Sequence, residues 1–208
     1  MKQRNQKLAT GLSAAMLLMG SQLALAETVN VPATVAVNNA IDFTFTGTLD
    51  FGEVRATADS TAAECSGLVL SGTSLTLTAM ATNATCSAAG TSVIQAVGGT
   101  VARPVFTVAG VAPFTTLNLT VPNTAIDLTA ATGPGTAQFQ LINFTAQKTS
   151  APAGAIALTA GAGTFAVDAA GGATFTVGAS LITDPGTPTT VTYQDLAYSG
   201  AFDVIVTY

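Results

Sequence analysis

From Val29 to Phe51 the chain alternates. The odd positions read Val29, Val31, Ala33, Val35, Val37, Asn39, Ile41, Phe43, Phe45, Gly47, Leu49 and Phe51, and the even positions hold only Asn, Pro, Thr, Asp and Ala. A period of two sends alternate side chains to opposite faces of an extended strand. Every large apolar side chain here therefore falls on one face, which has to be buried against something. Asn38-Asn39 breaks the run into Val29–Val37 and Ile41–Phe51. Pro32 lacks an N–H and disfavours a central strand position, so pairing of the first segment starts after Pro32 or skips it.

What precedes this stretch reads as a secretory signal over residues 1–26. Lys2, Arg4 and Lys7 form a positive n-region, Leu8 to Met19 a short apolar core, and Ala24-Leu25-Ala26 a small-x-small site before Glu27. The apolar core is too short to span a bilayer comfortably, so cleavage and export are expected, through the periplasm to the cell surface or beyond. The remaining organisation is a 27–38 extension followed by a single domain over 39–208.

Charge is sparse. After residue 26 the cations are Arg55, Arg103 and Lys148, against all eleven carboxylates of the chain. No basic footprint for a phosphate backbone exists, which argues against nucleic acid as a partner. Thr, Ala, Gly and Val dominate, a composition that favours strands and turns. Cys65 and Cys86 in an exported chain are expected to form a disulfide. With no histidine and no further ligand cluster, no metal or other cofactor is expected.

Turn signals recur roughly every ten residues. Leu68–Leu70 and Leu75–Leu77 flank Ser71-Gly72-Thr73-Ser74 and predict a hairpin with a four-residue loop. Further short strands are predicted at Ser92–Val97, Val105–Val108, Leu117–Val121, Phe139–Ile142, Ala155–Leu158, Phe165–Val167 and Phe175–Val177. Turns are predicted at Gly98-Gly99, Gly133-Pro134-Gly135, Gly171-Gly172 and Asp184-Pro185-Gly186. The chain closes at period two with Phe202, Val204, Val206 and Tyr208. One short helix is expected, within Ala56–Cys65. Many short strands punctuated in this way predict an all-β chain, an antiparallel sandwich or barrel.

Three motifs carry a resemblance that covers essentially the whole chain after residue 26. They are Leu49-Asp50-Phe51-Gly52-Glu53-Val54, Gly171-Gly172-Ala173 followed by Val177-Gly178, and Tyr198-Ser199-Gly200-Ala201-Phe202-Asp203-Val204-Ile205-Val206-Thr207-Tyr208. In order and spacing the chain resembles the bacterial secreted family named domain of unknown function 4402, which implies no settled biochemical activity. More loosely it resembles spore coat U and archaic chaperone–usher pilin subunits. Those likewise begin on an alternating strand and carry an L-D-F-G-like motif. Here Tyr208 is last where the common pilin pattern has it penultimate, and the cysteine pair does not start in the first strand.

The pilin resemblance implies an immunoglobulin-like antiparallel β-sandwich with an N-terminal strand extension. It also implies a missing strand, supplied first by a periplasmic chaperone and then by the next subunit in a head-to-tail polymer of the chain with itself, with an outer-membrane usher as a further partner. On that expectation Val29, Val31, Ala33, Val35 and Val37 form the donor strand, and Phe202, Val204, Val206 and Tyr208 the acceptor edge. Donation is heterologous and generates an open filament. The alternative is a strand docked on its own sheet, in a self-complete monomeric sandwich at the cell surface that binds or adheres through loops such as Asp184–Thr190.

An enzyme is not expected. The absence of histidine removes Ser–His–Asp and Cys–His arrangements, and Lys148 has no Ser-x-x-Lys context. Scattered carboxylates leave a two-carboxylate glycosidase as a third reading. They also leave calcium at a loop, through Asp50 with Glu53, or Asp184 or Asp195. Solvated turn residues and strand caps are the simpler account of all of them.

Overall fold

A computed structural model describes residues 32–36, 40–130 and 137–208. The signal segment, Val29, Val31, Val37 and the Gly133–Gly135 turn lie outside the described residues. The chain separates into two units, Met1–Val37 and Asn38–Tyr208. Of the first, residues 32–36 belong to no strand and are exposed, Val35 at 89 %.

The second unit is all-β, an antiparallel β-sandwich in which no helix occurs among the described residues. Its main sheet runs β1 (Asp42–Thr46), β6 (Val105–Ala109), β12 (Ala173–Ile182), β9 (Phe139–Lys148), β8 (Ile126–Ala130) and β13 (Tyr198–Ser199). Three short strands attach to it: β3 (Gly67–Leu70) to β12, β4 (Thr78–Ala79) to β3, and β10 (Gly154–Ile156) to β9. A second layer holds β11 (Ala162–Ala166), β7 (Thr116–Thr120) and β14 (Ile205–Thr207), and β2 (Asp50–Thr57) pairs with β5 (Val93–Ala102) in a ribbon of its own.

β12 is the spine. Nearly every residue is buried, because β6 and β3 share one of its edges in tandem, β9 takes the other, and side chains are covered on both faces. This explains why alternation reveals only its Phe175–Val177 portion. Gly178 is required by the approach of β3: a Cβ there would stand 2.1 Å from the Leu70 carbonyl oxygen. The β9–β12 register shifts between Gly178 and Ser180. The extra β9 residue is accommodated where Asn143 takes φ 50°, a conformation Asn tolerates better than most residues.

Phenylalanines fill the space between the layers. Phe106 and Phe175 stack at 5.1 Å, Phe43 lies 5.7 Å from Phe106, and Phe165 lies 5.3 Å from Phe175. Leu117 and Leu119 from β7 are fully buried against the same cluster.

Five expectations change. Gly98-Gly99 is not a turn but lies inside β5, where Gly98 pairs with Glu53 at the register shift against β2. Ile41–Phe51 is two strands, because Gly47 at φ 80° turns the chain and passes it from β6 to β5. Ala56–Cys65 is not helical: Ala56 and Thr57 finish β2, and the Asp59 carboxylate then captures the Thr61 N–H at 2.7 Å. It also takes the Thr91 N–H and hydroxyl, each at 2.6 Å. Such side-chain to backbone bonds compete with helix formation. The hairpin after β3 pairs with Thr78–Ala79 instead of Leu75–Leu77, because Ser71 and Ser74 oxygens bind the Thr73 and Thr76 N–H groups and lengthen the loop. The closing strand is laddered only over Ile205–Thr207.

The disulfide joins Cys65 and Cys86, with Cα atoms 5.0 Å apart, and packs with Ile142 and Ile182 in a separate buried cluster. The chain-entropy account assigns a loop of this length about 3 kcal/mol. A Cys65→Ala/Cys86→Ala variant is therefore expected to unfold at a urea midpoint lower by about 1 M or more, given a typical slope of about 1–3 kcal/mol per molar. Equilibrium denaturation followed by tyrosine fluorescence reads it.

Hydrogen bonds from Thr91 and Thr61 hold the Asp59 carboxyl well below the usual carboxylate range. The backbone N–H groups of Gly172 and Ala170 depress Asp168 likewise. A carboxyl whose folded-state pKa is depressed contributes stability that is complete above its unfolded value near 4 and is lost as pH falls toward the folded value. Thermal stability is thus expected to drop below about pH 4. Asp59→Asn should flatten part of that drop while lowering stability at neutral pH, which thermal melts across pH 2–7 would read.

Candidate functional site

Two strand edges in the Asn38–Tyr208 unit are open among the described residues, and that of β2 faces a groove. β14 pairs only with β7, leaving its other edge bare. β2 pairs with β5 on one side, and on the other has only an isolated bridge from Thr57 to Thr192. Between the β2 edge and residues 193–204 lies an open groove of about 1050 Å³. That is at or above the top of the ~300–1,000 Å³ range of small-molecule pockets.

The floor is apolar, made by Phe43, Phe106, Phe139, Leu141 and Leu181. One wall is Leu49 to Val54, and the other is Phe202 to Val204. Phe45 also lines it and is 67 % exposed. The local fold explains the opening. In β2 the register slips on both sides of Glu53. Gly52 at φ 71° lies so close to β5 that a Cβ on it would stand 2.6 Å from the Gly98 carbonyl oxygen. A bulge of this kind bends and twists the strand that carries it.

The far end of the groove is built on tyrosines. Tyr193 stacks on Phe139 at 4.2 Å, donates its hydroxyl hydrogen to the Gln138 carbonyl and accepts the Asp184 N–H. Burial pushes its phenol well above the usual range, so it stays neutral. Tyr198 meets Phe139 edge-on at 5.0 Å. The charged side chains on the groove are Asp50, Glu53, Asp195 and Asp203, with no Lys or Arg among them. These carboxylates disfavour an anionic occupant, and the apolar floor suits one with an apolar face.

Of the predicted edge residues, Phe202 and Val204 line the groove, and Phe202 also packs on Phe144 at 5.0 Å. Neither is in a strand, and both are half-buried. The alternation of 202–208 is thus kept in burial while the ladder is missing where no neighbour lies alongside. Val206 and Tyr208 sit further along and do not line the groove. Val206 faces inward, half-buried, and Tyr208 is 49 % exposed with its carbonyl accepting the Asn118 amide. Of the predicted donor residues, Ala33 and Val35 are exposed and unpaired into any strand, and Val29, Val31 and Val37 lie outside the described residues.

Sequence reasoning missed the wall at Leu49–Val54 and the tyrosine-bearing end. The wall had a signal: the Asp50-Phe51-Gly52 step marks a bulge, after which inward positions move from Phe51 to Val54 and Ala56. Two of the candidate calcium carboxylates cap backbone N–H groups. Asp50 accepts the Gly52 N–H, and Asp184 accepts those of Gly186 and Gln138. Among the described residues no three metal-ligating side chains gather. A second cavity of about 250 Å³, against the disulfide, has no charged side chain in its lining and is too small for a strand. Comparison with known proteins finds no matching family model, no matching curated protein and no matching solved structure.

Proposed function

We propose that the protein is an exported structural subunit of an extracellular fibre, an immunoglobulin-like sandwich completed by the N-terminal strand of a neighbouring copy. The observation that carries this reading is the groove between the open edge of β2 and residues 193–204, apolar at its floor and free of cations. The extension meets its requirements. Residues 28–39 carry no charge, and every second one from Val29 to Val37 is apolar.

An inserted strand bonds to an edge through its backbone and fills pockets with alternate side chains. Full burial of four valines contributes about 6–12 kcal/mol before the cost of ordering the extension. Ala33–Val37 is the segment best able to pair on both sides, because Pro32 withholds a donor. A periplasmic chaperone and an outer-membrane usher would cover the groove before assembly, since a bare apolar edge invites mispairing.

Deletion of residues 27–38 tests the reading. Unboiled gels of sheared surface material should show a ladder of heat-sensitive multimers from the parent chain and monomer alone from the deletion. A stable deletion variant that polymerises like the parent would overturn it. So would a parent that stays monomeric at high concentration, with Val29–Val37 protected from exchange within one chain.

A further inference from the structure

We infer that a donated strand bonds the backbone groups of Phe202 and Val204, and that its arrival turns residues 202–204 into strand, lengthening β14 at its start. This rests on the strand-donation reading above and holds for either sense of entry.

β7 decides which groups along β14 are free. Val121, just past β7, donates its N–H to the Gly161 carbonyl at 2.8 Å, on the side where β11 lies. In an extended strand the hydrogen-bonding groups of successive residues leave by opposite edges. Val121 therefore serves β11, and Asn118 and Thr120 serve β14. The register sets Thr120 opposite Ile205 and Asn118 opposite Thr207. Ile205 and Thr207 thus direct their backbone groups at β7, and the residues between and before them in step, Val206, Val204 and Phe202, direct theirs the other way.

The same register explains why the ladder stops. Two residues back from Ile205, it sets Asp203 opposite Pro122, which has no N–H to give. A bonded pair is not completed there, so β7 does not carry β14 back beyond Ile205. The chain nevertheless continues with the same period: 202, 204 and 206 are half-buried, and 203 and 205 are exposed.

Phe202, Asp203 and Val204 all line the groove. Alternate side chains of an extended segment point to opposite faces, so what three consecutive residues share toward the groove is a backbone edge. On the alternation set by β7, that edge carries the N–H and C=O of Phe202 and Val204. Neither residue joins a ladder in the subunit alone. The segment has a fixed upstream end. Ser199 pairs with Thr129 on β8, and a Cβ on Gly200 would stand 2.5 Å from the Asp127 carbonyl oxygen. The chain is held to the main sheet there, so the new strand stops short of Gly200. A parallel or an antiparallel neighbour meets the same groups, because the N–H and C=O of one residue leave by one edge whichever way the partner runs.

The test is residue-by-residue amide exchange, followed by NMR, on the full exported chain carrying Val35→Asp to block assembly. The probe is a synthetic peptide of residues 27–39 in the parent sequence. In the chain alone, the Ile205 and Thr207 amides should exchange slowly and those of Phe202 and Val204 fast. With the peptide at about 100 times its dissociation constant, exchange at Phe202 and Val204 should slow about 100-fold, because a bonded amide opens only when the peptide leaves. If the peptide shifts the resonances of the groove floor at Phe106 and Leu181 but leaves exchange at Phe202 and Val204 unchanged, the lengthened strand is wrong and strand donation stands. If the peptide alters neither, or the Val35→Asp chain still assembles, strand donation fails and this inference with it.

Discussion

Val35→Asp is expected to abolish multimers while leaving the subunit as stable as the parent. Val35 is 89 % exposed, so a carboxylate there is solvated in the isolated chain and the change stays within about 0.5 kcal/mol. In a neighbour's groove the same side chain would face an apolar floor with no cation among the lining residues. An unpaired buried charge costs several kcal/mol, and the lost valine contributes about 1.5–3 kcal/mol more. A combined loss near 4 kcal/mol weakens association about 1,000-fold. Thr34→Asp is the control, because its side chain points to the opposite face, and it should assemble. Unboiled gels and sedimentation velocity read both variants, with thermal melts confirming intact folding. Assembly of Val35→Asp at the parent level would remove the donated strand from the account.

The layered all-β architecture was legible in the sequence because alternation and turn residues are local signals. Leu117–Val121, Val105–Val108 and Phe165–Val167 all fall on or within a residue of β7, β6 and β11. What was hidden depended on partners distant in sequence. β12 looks like a three-residue strand by pattern, yet spans Ala173–Ile182 because β3, β6 and β9 cover it. The helix expected over Ala56–Cys65 yields to an aspartate whose bond to Thr91 crosses 32 positions of chain.

The groove was half legible. Phe202 and Val204 stood out by alternation, whereas Leu49–Val54 stood out only as a motif, with nothing local to show that it faces them. The two walls are more than 140 residues apart in sequence, and only the packed sandwich sets them side by side.

Two phenylalanines separate what holds the subunit together from what its groove presents. Phe175 is fully buried, with Phe106, Phe165 and Phe43 at 5.1, 5.3 and 6.1 Å. Phe175→Ala removes a ring from the middle of that stack, where the surrounding strands close the void only partially, at a cost of about 3–5 kcal/mol. At about 2–4 °C per kcal/mol for a domain of this size, Tm falls by about 6–20 °C. Measured on the Val35→Asp background, which keeps the chain monomeric, the melt reports folding alone. Phe45 is only two positions from Phe43 on β1 but is 67 % exposed and lines the groove. Phe45→Ala on the same background should lower Tm by about 2 °C or less, while in the parent chain it should weaken multimers. Equal losses of Tm for the two variants would mean that Phe45 belongs to the core and that the groove is closed within the subunit.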